Sequence, residues 1–221
     1  MRRIEIAESD VLRVAEDLSA LTVGVRASLD PAWSRPVAIR VVDCVLSLNR
    51  NYDRFVVPRV EALMRSRPGL QSVAQLVTVM ASHPSAHEFV KSELSYDHAD
   101  RARVLAEVVG FVSGLVRQAV SAADELVTLE RWATSAKPDG FRSLNIKGFK
   151  LAGYQYLRML FGARTTKPDK HIINFVSEAV GRRVSDLSAL LLLDAAASRM
   201  NVPLRDVDTS IWELRARGDR S

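Results

Sequence analysis

The chain has 221 residues, 48% hydrophobic and 26% charged, with 10 glycines and 8 prolines. This is ordinary globular composition, long enough for one large domain or two small interleaved ones, and it needs no disulfide staples. The net charge of +5 inclines the chain toward polyanionic partners without requiring one.

Apolar residues recur at three- and four-residue spacing nearly throughout, and strand-like alternation is scarce, so the expected fold class is all-α. Turn residues divide the chain into about ten helices. The first covers roughly residues 4–21, and Asp30 through Pro36 reads as a loop. A strongly apolar helix follows from about Val37 to Arg50, then one from about Asp53 to Arg65 that stops before Arg67-Pro68-Gly69. Shorter helices span about 70–81 and 85–93. Asp97 or Asp100 starts a long helix to about Gln118, with Val104, Val108, Phe111, Val112 and Leu115 on one face, and another helix runs to about Thr134.

Lys137-Pro138-Asp139-Gly140 is a turn, followed by a short segment at 141–146 and a helix from about Gly148 to Phe161, closed by Gly162. The remaining helices run from about Asp169 to Val180, from Ser185-Asp186 to about Met200, and from Pro203 onward, the last carrying Trp212. There is no solenoid-type repeat and no low-complexity tract.

Cys44 is the only cysteine and sits in an apolar run, which reads as a small buried hydrophobe in a reducing compartment and excludes an iron–sulfur cluster or an internal disulfide. Met1-Arg2-Arg3-Ile4-Glu5 is not followed by a signal-type apolar stretch, and no window approaches the length of a membrane span. The expectations are therefore a cytoplasmic protein, no membrane association, no cofactor and no metal.

Two segments carry chemistry. In Leu144-Asn145-Ile146-Lys147-Gly148-Phe149-Lys150-Leu151-Ala152, a glycine-containing turn lies between a short apolar segment and an amphipathic helix. Such a turn points backbone N–H groups and a helix N-terminus outward, where they can hold a phosphate, and Lys147 and Lys150 add charge. In Pro168-Asp169-Lys170-His171-Ile172, a proline and an aspartate precede an apolar helix, so Asp169 can accept hydrogen bonds from its first free N–H groups. Read separately, these are a capped turn and an N-cap.

Together, the two segments resemble the helix-hairpin-helix DNA glycosylase superfamily. Members related to endonuclease III carry a Leu-Pro-Gly-Val-Gly-x-Lys-Thr-Ala hairpin, a helix, and then Val-Asp-Thr-His-Val. Here Asn145 and Ile146 stand in place of the proline and first glycine, and Lys170 in place of the threonine. Val42 through Asp53 is similar to the family's Leu-Leu-Ser-x-Gln-x-Thr-Asp region, with Asn49 at the position of a polar residue that enters the space left by an extruded base. The resemblance extends over roughly residues 36–215.

The resemblance implies a two-lobed helical bundle with a helix-hairpin-helix motif and a cleft between its lobes. Residues 37–150 would form a central lobe, and residues 1–36 plus 151–221 the second. It implies excision of a damaged or modified base from double-stranded DNA by a monomeric, nucleoid-associated enzyme of base excision repair. Asp169 would stabilise the developing positive sugar or help activate the attacking group. Lys150 falls on the Schiff-base lysine of bifunctional members, which opens a lyase route; Lys147 and Lys167 are candidate neighbours to lower its pKa. Lys147, Gly148, Asn49, Arg50, Asn51, Lys167 and His171 would contact DNA. The alternative is a non-catalytic helix-hairpin-helix DNA-binding protein, since fold does not establish activity; a helical regulatory protein without a nucleic-acid partner is a third reading.

Tyr154, Tyr156 and Arg158 follow the hairpin and read first as helix core, with base stacking as the alternative. His83, His87 and His98 have no metal-ligand companions and read as surface residues, while Trp33, Trp132 and Trp212 read mostly as core.

Overall fold

The structure is a computed structural model describing residues 6–21 and 31–218, with the side chains of Pro31, Thr209, Trp212, Glu213 and residues 215–218 excepted. Met1 through Glu5, Asp30 and the expected core position of Trp212 therefore lie outside the described residues. Among those described, there are helices and no strands, as the three- and four-residue spacing requires. The chain divides into two compact units, Leu29–Ala163 on the one hand and Met1–Ser28 with Arg164–Ser221 on the other.

The larger unit holds α2 (Pro31–Ser34), α3 (Val37–Leu46), a π turn (Tyr52–Val56), α4 (Val57–Ser66), α5 (Val73–Ala81), α6 (Ala86–Glu93), α7 (Ala99–Leu115), α8 (Ala122–Ser135), α9 (Phe141–Leu144) and α10 (Leu151–Leu160). At its centre is α3, where all residues but Arg40 are buried. Apolar almost all round, it is covered by α4, α5, α7, α8 and α10.

A charged pair lies in this core. Asp43 is fully buried and pairs with Arg35, while the hydroxyls of Tyr52 and Tyr156 donate to its two oxygens, each at 2.9 Å. Residues 31–36 are not simply a loop: α2 begins at the helix-compatible Pro31, and Arg35 just beyond it is drawn in by Asp43. Burial, reinforced by the charge of Asp43, pushes the Tyr52 phenol well above its ordinary pKa.

Helix ends follow their capping residues more closely than the apolar pattern. The helix expected to reach Arg50 stops at Leu46, and the chain turns through Asn49 at φ 53°. Pro58 lacks an N–H to donate one turn back, and the stretch before it winds as a π turn. The cap of α7 is His98, whose Nδ1 accepts the N–H of Arg101 at 3.2 Å, instead of Asp97 or Asp100.

The boundary between units falls after Ala163, not at 150. Every residue of α10 except Ala152 is buried, and the helix packs on α3 and α8. Tyr154, Tyr156 and Arg158 are core residues; the Arg158 guanidinium donates to the Ala133 carbonyl at 3.0 Å and to Gln155 at 2.8 Å.

The smaller unit is built from α1 (Glu8–Ala20), α11 (Lys170–Val180), α12 (Asp186–Arg199) and α13 (Leu204–Gly218). Its core contains Val14, Leu18, Ile172, Val176, Leu193, Val207 and Ile211. Arg13 donates to the Val180 carbonyl at 3.3 Å, and Arg182 pairs with Asp10, so the start of the chain is fastened to the end of α11. Gly181 ends α11 at φ 70°, a left-handed position that suits glycine.

Candidate functional site

In the larger unit, the two segments read as DNA-facing are held by one helix. After α9, Asn145 adopts left-handed backbone (φ 51°, ψ 31°) and Gly148 has φ 92°. A proline cannot take the φ of Asn145, so the chain enters this turn differently from the motif it resembles. Ile146, at the position of that motif's first glycine, is buried and joins the core. The N–H of Phe149 donates to the Ile146 carbonyl at 3.1 Å, and Phe149 is buried as well. Lys147, Gly148 and Lys150 remain exposed. Lys150 is the N-cap residue of α10, with no side chain capping that helix. Among the described residues, neither Lys147 nor Lys150 pairs with a carboxylate. Two unpaired cations beside the positive end of a helix are electrostatically unfavourable unless an anion joins them.

From α7, Arg103 donates to the Lys147 carbonyl at 2.8 Å. Two residues earlier, Arg101 donates to the carbonyls of Val45 at 2.8 Å and Leu48 at 2.6 Å, satisfying the end of α3 just before Asn49. Burial lowers the pKa of Arg101, and the charge of nearby Arg50 adds to the effect. Asn49 is exposed. Arg50 donates to the Tyr96 hydroxyl at 2.7 Å and lies 5.4 Å from the Phe55 ring centre, while Arg59 lies over Phe55 at 3.9 Å. Phe55 and Tyr96 meet edge to face at 4.8 Å. No carboxylate pairs with Arg50, Arg59 or Arg101 among the described residues, so this aromatic–arginine cluster carries uncompensated positive charge. Asn51 has a structural duty: its side chain accepts the Arg54 N–H at 2.9 Å and caps the π turn.

Asp169, Lys167 and His171 lie in the smaller unit. Asp169 caps α11, its Oδ1 accepting the N–H groups of His171 at 2.9 Å and Ile172 at 3.3 Å. Its Oδ2 has no protein partner among the described residues. Pro168 is buried, which fixes the approach to the cap; Lys167 and His171 are half-exposed.

Beside this cap lies a carboxylate that the motifs did not reveal. Oδ1 of Asp208 accepts the Thr166 hydroxyl and, at 3.2 Å, the Lys167 N–H. Burial raises the Asp208 pKa to about 6, and the charge of Asp169 contributes to the rise. The sequence held one signal: Asp208 follows Leu204 by four residues and precedes Ile211 by three, on the buried face of α13.

The remaining candidates have structural partners. Cys44 is buried and directs its thiol to the Gly153 carbonyl at 3.3 Å. His83 approaches Glu93 at 3.4 Å, and His87 pairs with Asp97 at 2.7 Å. Trp132 packs on Phe111 and Tyr154, and Trp33 against the same core. Among the described residues, no group of three or more histidine, cysteine or acidic residues could hold a metal ion, and no helix is long and apolar enough to cross a membrane.

These features define an all-helical protein with a basic turn region in one unit and a carboxylate-bearing helix cap in the other. The chain belongs to the family described as "Domain of unknown function (DUF8548)", which it matches over residues 16–216. No curated protein and no solved structure matches it.

Proposed function

We propose that this protein is a DNA glycosylase of the helix-hairpin-helix type, which takes a damaged or modified base out of the duplex and cleaves its N-glycosidic bond. The observation that carries this reading is the Asp169 carboxylate: one oxygen is fixed by two helix N–H groups and the other is left without a protein partner among the described residues. A carboxylate anchored in this way needs little reorganisation to stabilise positive charge as it develops on the sugar. As the bond to the base breaks, water adds its oxygen to C1′, and the base leaves with a proton.

The hairpin supports a nucleic-acid partner. Exposed Lys147 and Lys150 flank the uncapped start of α10, where a backbone phosphate would satisfy both the free N–H groups and the charges. In the larger unit Asn49 and Arg50 would contact DNA, and in the smaller unit His171 and Lys167 would do so beside Asp169. Lys150 is exposed, whereas a nucleophilic lysine is typically activated by desolvation or by a neighbouring cation. Its placement therefore favours phosphate binding over a Schiff base, and a monofunctional enzyme. Such an enzyme would work as a monomer in the cytoplasm with the nucleoid.

The second reading is a non-catalytic DNA-binding protein. It is favoured by the departure of Asn145 and Ile146 from the resembled hairpin, which leaves affinity for phosphate but no inference about chemistry.

Duplexes each carrying one damaged or modified base test both readings, incubated with borohydride and with the wild type, Asp169→Asn or Lys150→Ala. Release of a base by the wild type, lost in Asp169→Asn without loss of DNA binding, is the expected result. A covalent adduct abolished by Lys150→Ala would make Lys150 the nucleophile. Tight binding without release from any duplex would favour the non-catalytic reading.

A further inference from the structure

Asp208 is bonded into the segment that presents Asp169. Its Oδ1 accepts the Thr166 hydroxyl and the Lys167 N–H at 3.2 Å, and the Lys167 carbonyl in turn accepts the Asp169 N–H at 2.7 Å. Thr166 and Pro168 are buried, so the segment has little freedom of its own. Asp169 then fixes α11 through the N–H groups of His171 and Ile172. A continuous set of bonds thus runs from α13 to the start of α11. Asp169 and Asp208 are both partly buried residues, and the Oδ2 of each has no protein partner among the described residues.

A structural tie between helix and loop does not require a carboxylate. A neutral asparagine can accept the same two hydrogen bonds, without the cost of holding a charge beside Asp169.

We propose that Asp208 is the second carboxyl of the Asp169 site: a positioning residue that fixes the Thr166–Asp169 segment and, when ionised, adds negative charge facing the cation that Asp169 stabilises. This inference rests on the glycosylase reading and names a residue that reading lacks. Among the described residues, the charged groups facing Asp208 are Asp169, which raises its pKa, and Lys167, which lowers it; burial is the larger cause and brings the value to about 6. Both α11 and α12 pack on α13. On α12, Asp194 has its pKa raised by burial. The pair therefore gains its second charge as pH passes through about 6.

The test uses the full chain and two readouts. Carbon-detected NMR follows the Asp208 carboxyl through a pH titration in the wild type and in Asp169→Asn. A midpoint near 6 that falls in Asp169→Asn is expected; an unchanged midpoint overturns the coupling. Single-turnover base release from duplexes carrying oxidised, alkylated or hypermodified bases is then followed against pH. The wild-type rate should rise through the same range, and Asp208→Asn should lose that rise and run about tenfold slower on the alkaline side. A rate profile for Asp208→Asn identical to wild type overturns the proposal. Coupled titration with no release from any duplex supports the carboxyl pair and ends the glycosylase reading, which separates the two failures.

Discussion

Arg103 on α7 donates to the main-chain carbonyl of Lys147 at 2.8 Å, fastening the exposed hairpin turn to a long helix of the same unit. The bond orients the peptide immediately before Gly148. Arg103 also pairs with Glu107 at 2.8 Å, but that contact is half-exposed and contributes little. Arg103→Ala should therefore lower stability by about 1 kcal/mol or less. It should increase hydrogen exchange at Lys147 and Gly148 and weaken duplex binding several-fold. Unchanged exchange and affinity would show that the turn holds its shape without α7.

The aromatic–arginine cluster makes a separate prediction about charge. Arg50 is exposed, stacked beside Phe55 and Tyr96 and unopposed by a carboxylate among the described residues. If it contacts one phosphate, Arg50→Ala should reduce the slope of log affinity against log salt by about 1. Tyr96→Phe keeps the ring and removes only the hydroxyl that holds Arg50 at 2.7 Å, so it should weaken binding less and leave the slope nearly unchanged. Filter binding across a salt series reads both. Equal slopes for wild type and Arg50→Ala would remove this cluster from the interface.

At Gly153, α10 lies close against the chain after α3. A Cβ there would lie 2.7 Å from Leu48 Cδ2 and 2.9 Å from the Phe149 ring. Both neighbours are buried, and Leu48 immediately precedes Asn49. Gly153→Ala should therefore destabilise the protein by about 1–3 kcal/mol, despite the higher helix propensity of alanine. Urea denaturation measures the loss. A neutral or stabilising outcome would mean that Leu48 and Phe149 move aside at no cost.

The helical class was legible because amphipathic spacing persists through nearly every segment, and caps such as Ser72, Ser121, Asp169 and Ser185 fall where short polar residues precede apolar runs. Helix ends were less legible. Asn49, Asn145 and Asn201 each turn left-handed, but asparagine has this role only where the following chain can pack back, which is decided by tertiary contacts. The unit boundary was hidden for the same reason: α10 belongs with α3 through contacts more than a hundred residues apart, such as Tyr156 to Asp43. Local motifs located Lys147, Lys150 and Asp169. They could not locate Arg101, Arg103 or Asp208, whose hydrogen bonds to the chain around Leu48, to Lys147 and to Lys167 each span at least 41 residues.

Asp208 gives a prediction about stability with a definite sign. Its folded pKa, about 6, lies above the ordinary value of 3.8, so the folded state holds the proton more tightly than the unfolded chain does. The stabilising contribution is fully present below pH 3.8 and is lost as pH rises through about 6. At pH 8 the ionised carboxyl should cost about 3 kcal/mol relative to a neutral group making the same hydrogen bonds. Asp208→Asn should therefore be about as stable as wild type at pH 4 and more stable at pH 8, by urea denaturation at the two pH values. Stabilisation at pH 8 together with slower base release would be the mark of a charge retained for function at the expense of stability. Destabilisation at pH 8 would instead mean that the ionised carboxylate, through Thr166 and Lys167, helps to hold α13 in place.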